Sequence, residues 1–178
     1  MYIDTMLPSP VQKIETQLTI DKAVRLYIKR DDLIHPKVSG NKYRKLKYNL
    51  SEIRKEGKKQ VITFGGAFSN HIHAVATACY YEGLTAIGII RGELDENNPT
   101  LKYCKNVGME LIPVSRSAYR DKENSPEIQQ ILARYPNAIV IPEGGTNDLA
   151  FNGVADIIDE IRSQDFPNPD YIVLASGT

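Results

Sequence analysis

The sequence predicts an α/β fold in which parallel strands form a sheet with helices on both faces. Three observations indicate it: short apolar runs rich in β-branched residues, segments of helix length between those runs, and Gly, Pro or Asn at the boundaries. Such an alternation favours parallel strands, because each helix returns the chain to the edge where the previous strand began. The predicted strands span residues 61–64, 84–90, 109–114, 138–141 and 171–175.

Four segments beside these strands have the length of helices. Asn98-Pro99 and Ser125-Pro126 each place a capping side chain before a proline, which favours the start of a helix. The last segment carries an apolar stripe with the spacing of an amphipathic helix. The stripe consists of Phe151, Val154, Ile157, Ile158 and Ile161, and the predicted helices span residues 69–82, 99–106, 126–135 and 147–163.

Residues upstream of the alternation form two further predicted elements, a short strand at 25–30 and a helix at 41–56 that ends at Gly57. At its other end the chain stops at Ser176-Gly177-Thr178, directly after the last predicted strand. In an α/β sheet a ligand-binding loop begins at such a position, and a helix follows it. We therefore expect the chain to be truncated within a domain.

Charge and cysteine usage exclude several classes of protein. Lys+Arg and Asp+Glu number 22 each, so no net charge favours nucleic acid or an anionic membrane as a partner. No apolar run reaches the ~20 residues of a membrane span, and the N-terminus lacks the pattern of a secretory signal. Cys79 and Cys104 are isolated, which is typical of thiols in a reducing compartment. We expect a soluble, cytoplasmic protein.

The first candidate for chemistry is a lysine at the start of the predicted helix 41–56. Asn41 can cap this helix, which places Lys42 in its first turn. A cation there opposes the helix dipole, and a desolvated amine near that positive end loses its proton more easily, as a Schiff-base lysine must. The alternative is an exposed lysine on a basic helix, since further basic residues follow it.

The second candidate is the glycine pair Gly65-Gly66, which follows a predicted strand and precedes Ser69-Asn70-His71. Glycines allow the backbone to approach a ligand closely, and Ser69 or Asn70 can cap the next helix, whose free amides suit a carboxylate or a phosphate. A plain joint between strand and helix is the alternative. The glycine spacing matches neither the dinucleotide fingerprint nor a P-loop.

A third segment, residues 142–147, also places a glycine pair between a strand and a capped helix. It is interpreted as a hinge, a second wall of a ligand site, or a structural turn. His71 and His73 lie two apart on a predicted helix, so they face different directions and are poor joint ligands for a metal. We predict no metal site, and His73 is interpreted as a partly buried, hydrogen-bonded histidine.

Taken together and in this order, these segments resemble the 1-aminocyclopropane-1-carboxylate deaminase / D-cysteine desulfhydrase family. That family belongs to the tryptophan-synthase-β-like pyridoxal-phosphate enzymes of fold type II. The likeness runs from Leu7 to the last residue, and the ordered set of segments is specific for the family, though not for one activity. The matching segments are residues 7–12, 28–33, 39–46, 65–71, 141–147 and 174–178.

The resemblance implies a three-layer, two-domain fold with parallel sheets. Residues 46–148 would form the smaller domain, and residues 1–45 with 149–178 would begin the larger, incomplete one. The implied cofactor is pyridoxal 5'-phosphate, and the implied reaction converts a small amino acid, such as 1-aminocyclopropane-1-carboxylate or D-cysteine, to a 2-oxo acid and ammonia. The whole protein would be a homodimer.

By the same resemblance, Lys42 would bind the cofactor as a Schiff base and then move the substrate proton. Lys45 would lie near the cofactor phosphate, and Asn70 would donate to the phenolic oxygen of the cofactor. Ser69, with the backbone amides of Asn70 and His71, would hold the substrate carboxylate, and Ser69 is also a candidate catalytic group. The phosphate cup would begin at Ser176, Gly177 and Thr178.

Two positions bear on the substrate. His71 stands where the cyclopropane deaminases have glutamine, and Glu143-Gly144-Gly145 is closer to the desulfhydrase-like branch. A non-catalytic or regulatory ligand-binding protein with this fold is the alternative, although a binding module needs no lysine at the position of Lys42. Because much of the family's site would lie beyond the last residue, we expect the 178-residue chain alone to bind the cofactor poorly and to be inactive.

Overall fold

A computed structural model describes residue 3 and residues 5–174 of the chain. Its strands are β1 (Val11–Ile14), β2 (Leu26–Lys29), β3 (Gln60–Gly65), β4 (Thr85–Arg91), β5 (Glu110–Val114) and β6 (Ile139–Ile141). Its α-helices are α1 (Gln17–Asp21), α2 (Gly40–Lys55), α3 (Asn70–Glu82), α4 (Pro99–Asn106), α5 (Arg116–Asp121), α6 (Pro126–Ala133) and α7 (Asp148–Ser163). None of the helices in this described part is long and apolar enough to cross a membrane.

Four strands form a parallel sheet in the order β5-β4-β3-β6. Neighbouring side chains of a strand point to opposite faces, and each face of this sheet is covered by helices. Val61 packs against the cluster that contains α2, α3 and α4, whereas Ile62 packs against the cluster that contains α5 and α6. The predicted α/β fold with helices on both faces is confirmed.

The N-terminal residues form an antiparallel hairpin of β1 and β2, which stands apart from the sheet. The strand predicted at 25–30 is β2, whereas β1 and α1 were not predicted. The five residues of α1 span little more than one turn, which is too short to show a helical repeat of apolar residues.

The domain division proposed from the family remains a prediction. Its first boundary, between residues 45 and 46, falls inside α2, and its second coincides with the first residue of α7. These two helices pack against each other, and Asp156 of α7 contacts Lys47 and Tyr48, which belong to the proposed smaller domain.

Three residues of the apolar stripe of α7, Phe151, Val154 and Ile158, are exposed. Phe151 is 64% exposed and Val154 is 39% exposed, whereas Ala150 and Gly153 are buried. Small residues of α7 allow the two helix backbones to approach each other. A pattern of large apolar residues does not reveal such a contact. The helix was predicted correctly, but the side it presents to the described part of the chain was not.

The strand predicted at 171–175 is wrong over residues 171–174, and residue 175 lies outside the described residues. Residues 171–174 have no strand geometry, and Tyr171 and Val173 are about nine-tenths exposed. An apolar, β-branched segment becomes a strand only when a neighbouring strand accepts its backbone hydrogen bonds. No strand in the described part of the chain is paired with it.

Replacing Gly153 with alanine is expected to destabilise the protein by roughly 1–3 kcal/mol through overpacking. A methyl group at this position would overlap the carbonyl oxygen of Arg44, which belongs to the backbone of α2 and cannot rotate away. Replacing glycine with alanine inside a helix ordinarily stabilises the helix. A loss of stability here would therefore show that the two helix backbones are in close contact. Urea unfolding followed by circular dichroism measures it, with the exposed Asn152→Ala on the same helix as control; equal stability of the two variants would contradict the close contact.

Candidate active site

The three candidate segments lie together at the carboxyl edge of the sheet. The amine Nζ of Lys42 lies 3.5 Å from the carbonyl oxygen of Gly144. A Cβ atom on Gly145 would lie 3.1 Å from the ring of His71, so the second glycine pair packs directly against the start of α3. Ligands of open α/β sheets bind at this edge, where the strands end. The structure therefore brings Lys42, His71 and the 143–146 turn into one site.

Lys42 is half-buried in the first turn of α2. Burial lowers the pKa of its amine, and the positive charge of Lys45 lowers it further. No carboxylate pairs with Lys42 within the described residues, so nothing there offsets these two effects. The amine thus reaches its neutral, nucleophilic form more easily than an exposed lysine does.

The predicted cap of this helix is wrong. The helix begins at Gly40, and Ser39 is its N-cap, although Ser39 makes no capping hydrogen bond through its side chain. Asn41 therefore lies inside the first turn, and its side chain is exposed. Gly40 has a left-handed φ of +60°, which glycine adopts without strain at the point where the loop enters the helix.

Lys45 lies one turn after Lys42 on the same side of α2. Its Nζ donates to the hydroxyl of Thr146 at 2.8 Å, beside the second glycine pair. A hydroxyl group leaves the charge of the ammonium uncompensated. The site therefore contains two lysines side by side, which is an arrangement suited to an anionic ligand.

Ser69 is the N-cap of α3, where its Oγ accepts a hydrogen bond from the amide of Ile72 at 3.3 Å. Gly65 must be glycine, because a Cβ atom there would overlap the side chain of Ile72 and lie 2.9 Å from Oγ of Ser69. Asn70 is the first residue of the helix, and its side chain is exposed. The backbone amides of Asn70 and His71 lack partners inside the helix, as the first amides of any helix do.

His71 is almost fully buried, with 2% of its surface exposed. The hydroxyl of Thr63 donates its one proton to the carbonyl oxygen of Ile141 at 2.8 Å, and it lies 2.8 Å from Nε2 of His71. Nε2 must therefore donate to Thr63. Nδ1 then carries a lone pair, which points away from Thr63. Nδ1 has no hydrogen-bond partner among the described residues.

Burial lowers the pKa of His71 to about 4, with further lowering by Lys42 and Lys45. Glu143 and the backbone of Pro142 favour the charged ring but do not offset this lowering, so the imidazole is neutral at pH 7. Its buried Nδ1 faces the second glycine pair, since a Cβ atom on Gly145 would lie 3.4 Å from it. His73, by contrast, stacks on the ring of Tyr103 at 4.3 Å on the other side of the helix, as predicted for two residues that face different ways.

A cleft of about 920 Å³ adjoins Ser69 at the ends of β3, β4 and β5. Glu143, from the third candidate segment, lines it too, but sequence reasoning missed the other residues: Arg91, Arg116, Tyr119, Arg120 and Lys122. A usable signal was present, because Arg91 directly follows the predicted strand 84–90 and the 116–122 cluster follows the predicted strand 109–114. Charged residues in those positions lie at the edge where α/β proteins bind ligands.

Two further results limit the site. Ser176, Gly177 and Thr178, predicted to begin a phosphate cup, lie outside the described residues, so that prediction stays open. In residue 3 and residues 5–174, no group of three or more His, Cys, Asp or Glu side chains is arranged to hold a metal ion.

The parallel sheet and the pair of lysines at its carboxyl edge form an α/β fold with a site suited to an anionic ligand. The chain belongs to the family of pyridoxal-phosphate dependent enzymes, and the match to this family covers residues 4–178. Pyridoxal phosphate is the cofactor of that family. The residues present fit this cofactor, since an amine with a lowered pKa, an unpaired buried acceptor and a second cation lie within one site.

Relatives of the chain support the resemblance found in the sequence. It is 35% identical over 185 residues to a Thermotoga maritima protein provisionally named 1-aminocyclopropane-1-carboxylate deaminase, covering 100% of this chain and 58% of that protein. It is 30% identical to the mitochondrial bifunctional D-cysteine desulfhydrase/1-aminocyclopropane-1-carboxylate deaminase of Arabidopsis thaliana, covering 97% and 46%. It is 26% identical to a D-cysteine desulfhydrase of Serratia proteamaculans, covering 96% and 54%.

A solved structure shares the fold. The crystal structure of a 1-aminocyclopropane-1-carboxylate deaminase homologue matches with a TM-score of 0.75 and 29% identity, over 91% of this chain and 50% of that one. A fungal L-serine ammonia-lyase from Rhizomucor miehei matches in fold alone, with a TM-score of 0.63 and 17% identity. The chain spans about half the length of the curated relatives it matches.

Proposed function

We propose that the protein containing this chain is a pyridoxal-phosphate-dependent lyase or deaminase, and that Lys42 is the residue that carries the cofactor. Its substrate is a small amino acid of the 1-aminocyclopropane-1-carboxylate or D-cysteine type, and its products are a 2-oxo acid and ammonia. The names of the relatives support both candidates. A homodimeric, cytoplasmic enzyme with a smaller domain at 46–148 is part of the proposal.

The observation that carries this proposal is the environment of the Lys42 amine. It is half-buried, lies beside a second cation, and has no carboxylate partner within the described residues. A structural lysine would gain a partner or remain in solvent, because an unpaired buried charge costs free energy. A lysine that must attack a carbonyl group needs this environment, since it favours the neutral amine.

Neighbouring residues complete the proposed site. Lys45 holds the cofactor phosphate, together with Ser176, Gly177 and Thr178, and the exposed side chain of Asn70 donates to the phenolic oxygen of the cofactor. When bound, the cofactor withdraws electrons from the substrate Cα. The amine of Lys42 then moves the proton at that carbon.

The start of α3 binds the substrate carboxylate in this proposal. The hydroxyl of Ser69 and the amides of Asn70 and His71 converge there, and the positive end of the helix dipole favours an anion. In this proposal the hydroxyl of Ser69 is a proton-transfer group as well. Nδ1 of His71 accepts a hydrogen bond from a protonated group of the cofactor or the substrate.

Borohydride reduction of the cofactor-loaded whole protein tests the assignment. Reduction fixes the cofactor to the lysine that carries it, and we expect the mass label on the peptide that contains Lys42. The matched control is Lys55→Ala, since Lys55 is exposed on the same helix and pairs with Glu52. That variant should be labelled like the wild type, and Lys42→Ala should not.

Labelling of a different lysine would show that the cofactor is attached elsewhere. Cofactor or amino-acid binding without a label on any lysine would favour the non-catalytic ligand-binding alternative. Assays of ammonia, sulfide and 2-oxo acid with the cyclopropane amino acid and with D- and L-cysteine then separate the two candidate substrates.

A further inference from the structure

The cleft beside Ser69 extends the candidate site away from Lys42. One wall is the 66–69 loop, which ends at the proposed carboxylate site, and the other walls come from the end of β4, from α5 and from the turn after β6. Lys42 and Lys45 do not line it. The cleft has a volume of about 920 Å³ and is open to solvent.

Cations dominate the cleft. Arg91, Arg116, Arg120 and Lys122 line it, against the single carboxylate of Glu143. Glu143 pairs with Lys122 at 3.1 Å, which leaves the three arginines without a salt bridge among the described residues. A guanidinium group binds carboxylate, sulfonate or phosphate oxygens through paired hydrogen bonds.

Tyr119 contributes an independent observation. Its side chain is 4% exposed and lines the cleft, and its hydroxyl makes no hydrogen bond of normal geometry among the described residues. The nearby carboxylate of Glu143 nevertheless interacts with this hydroxyl and, together with burial, raises the pKa of Tyr119. The ring is held in place by Phe64, whose centroid lies 6.4 Å away, and by the guanidinium of Arg91 at 5.8 Å. A buried hydroxyl held in a fixed position, without a hydrogen bond of normal geometry, is available to donate to a ligand acceptor in competition with Glu143.

We infer that the cleft binds an acidic group on the substrate's side chain, so that the substrate is an amino acid with a carboxylate, sulfonate or phosphate beyond its α-carboxylate. This inference rests on the proposed function, because it places the α-carboxylate at Ser69. From there the side chain extends toward Arg91, Arg116 and Arg120, on the side of Ser69 that lacks the two lysines. The hydroxyl of Tyr119 donates to the same acidic group.

Substrate selectivity of the cofactor-loaded whole protein tests the inference. The D and L forms of cysteate and O-phosphoserine are compared with those of serine and cysteine, with 2-oxo acid release as the common readout. We expect kcat/KM to be higher for the acidic compounds by about tenfold or more, as hydrogen bonds to charged groups warrant. The preference should weaken with increasing ionic strength, because the arginines are partly in solvent.

Two variants and a control locate the effect. Arg116→Gln combined with Arg120→Gln should lower the ratio of kcat/KM for the acidic compound to that for serine by about 10- to 100-fold. Tyr119→Phe retains the ring and the packing, and it should lower the same ratio by about fivefold to tenfold. Arg134→Gln, an exposed arginine at the end of α6, should leave the ratio unchanged.

A binding measurement separates this inference from the proposed function. Calorimetric titration with inorganic sulfate should show binding that the Arg116/Arg120 variant loses and the Arg134 variant retains. Turnover of serine or cysteine with no preference for the acidic compounds would overturn the inference and leave the proposed function intact. Sulfate binding that is unaffected by the two arginines would also overturn it, whereas failure to label Lys42 would remove only the catalytic assignment.

Discussion

Replacing Lys42 with alanine is expected to lower kcat/KM of the whole enzyme by about 1,000-fold or more, since both covalent attachment and proton transfer depend on one amine. Stability should change little, because the Lys42 amine makes only a 3.5 Å contact with a carbonyl oxygen and its removal relieves repulsion from Lys45. Steady-state kinetics with 2-oxo acid release as readout measures the loss. Lys55→Ala on the exposed side of α2 is the matched control.

Chemical rescue distinguishes a catalytic amine from a structural one. Methylamine added to Lys42→Ala replaces the missing amine in solution and should restore part of the activity, with a dependence on the concentration of the neutral amine. Lys42→Arg keeps the positive charge without a usable nucleophile, so it should remain inactive and should not be rescued. Full activity of either variant would contradict the assignment of Lys42.

Local patterns account for the elements that were predicted correctly. Strands β3 to β6 and helices α3, α4, α6 and α7 were found because each buries a face with a period of 2 or 3.6 residues, and that period is visible in the sequence. Helix α5, which has six residues, was not predicted. The lysine and the two glycine loops were found for a related reason. Gly65 and Lys42 have local geometric or electrostatic requirements that few other residue types meet.

Long-range contacts account for what was missed. The orphaned Nδ1 of His71 depends on Thr63 giving its proton to Ile141, and no spacing in the sequence reveals that choice. The contact of α7 with α2 depends on Gly153, which an apolar count ignores. More than twenty residues separate Arg91 from Arg116 and Arg120 along the chain, and the parallel strand order brings them together.

An ionic cluster around Arg44 is the largest of these long-range features. Arg44 is 3% exposed, and its guanidinium contacts both oxygens of Asp31 at 2.6 and 2.7 Å and both oxygens of Glu160 at 3.0 and 3.1 Å. Lys29 adds a contact with Glu160 at 2.8 Å. The cluster joins the hairpin, α2 and α7, so it fixes the helix from which Lys42 projects.

Replacing Arg44 with alanine is expected to destabilise the protein by about 3–5 kcal/mol, because it leaves two partly buried carboxylates without their main partner. The exposed pair of Arg162 and Asp159, 3.6 Å apart, provides the control. Arg162→Ala should change the free energy of unfolding by no more than about 1 kcal/mol, as for exposed pairs in general. Urea unfolding followed by circular dichroism measures both.

The pH dependence of stability tests the cause of this loss. Burial raises the pKa of Glu160, but hydrogen bonds and charges from Arg44 and Lys29 outweigh it and lower the pKa to about 2. Since this pKa lies below that of the unfolded chain, the carboxylate stabilises the fold above about pH 4.5, and this contribution is lost as the pH falls toward 2. The wild type should therefore lose stability across that window. Arg44→Ala should lose much less there, because its carboxylates gain little from ionisation; an unchanged acid profile would show that Lys29 alone sets the pKa of Glu160.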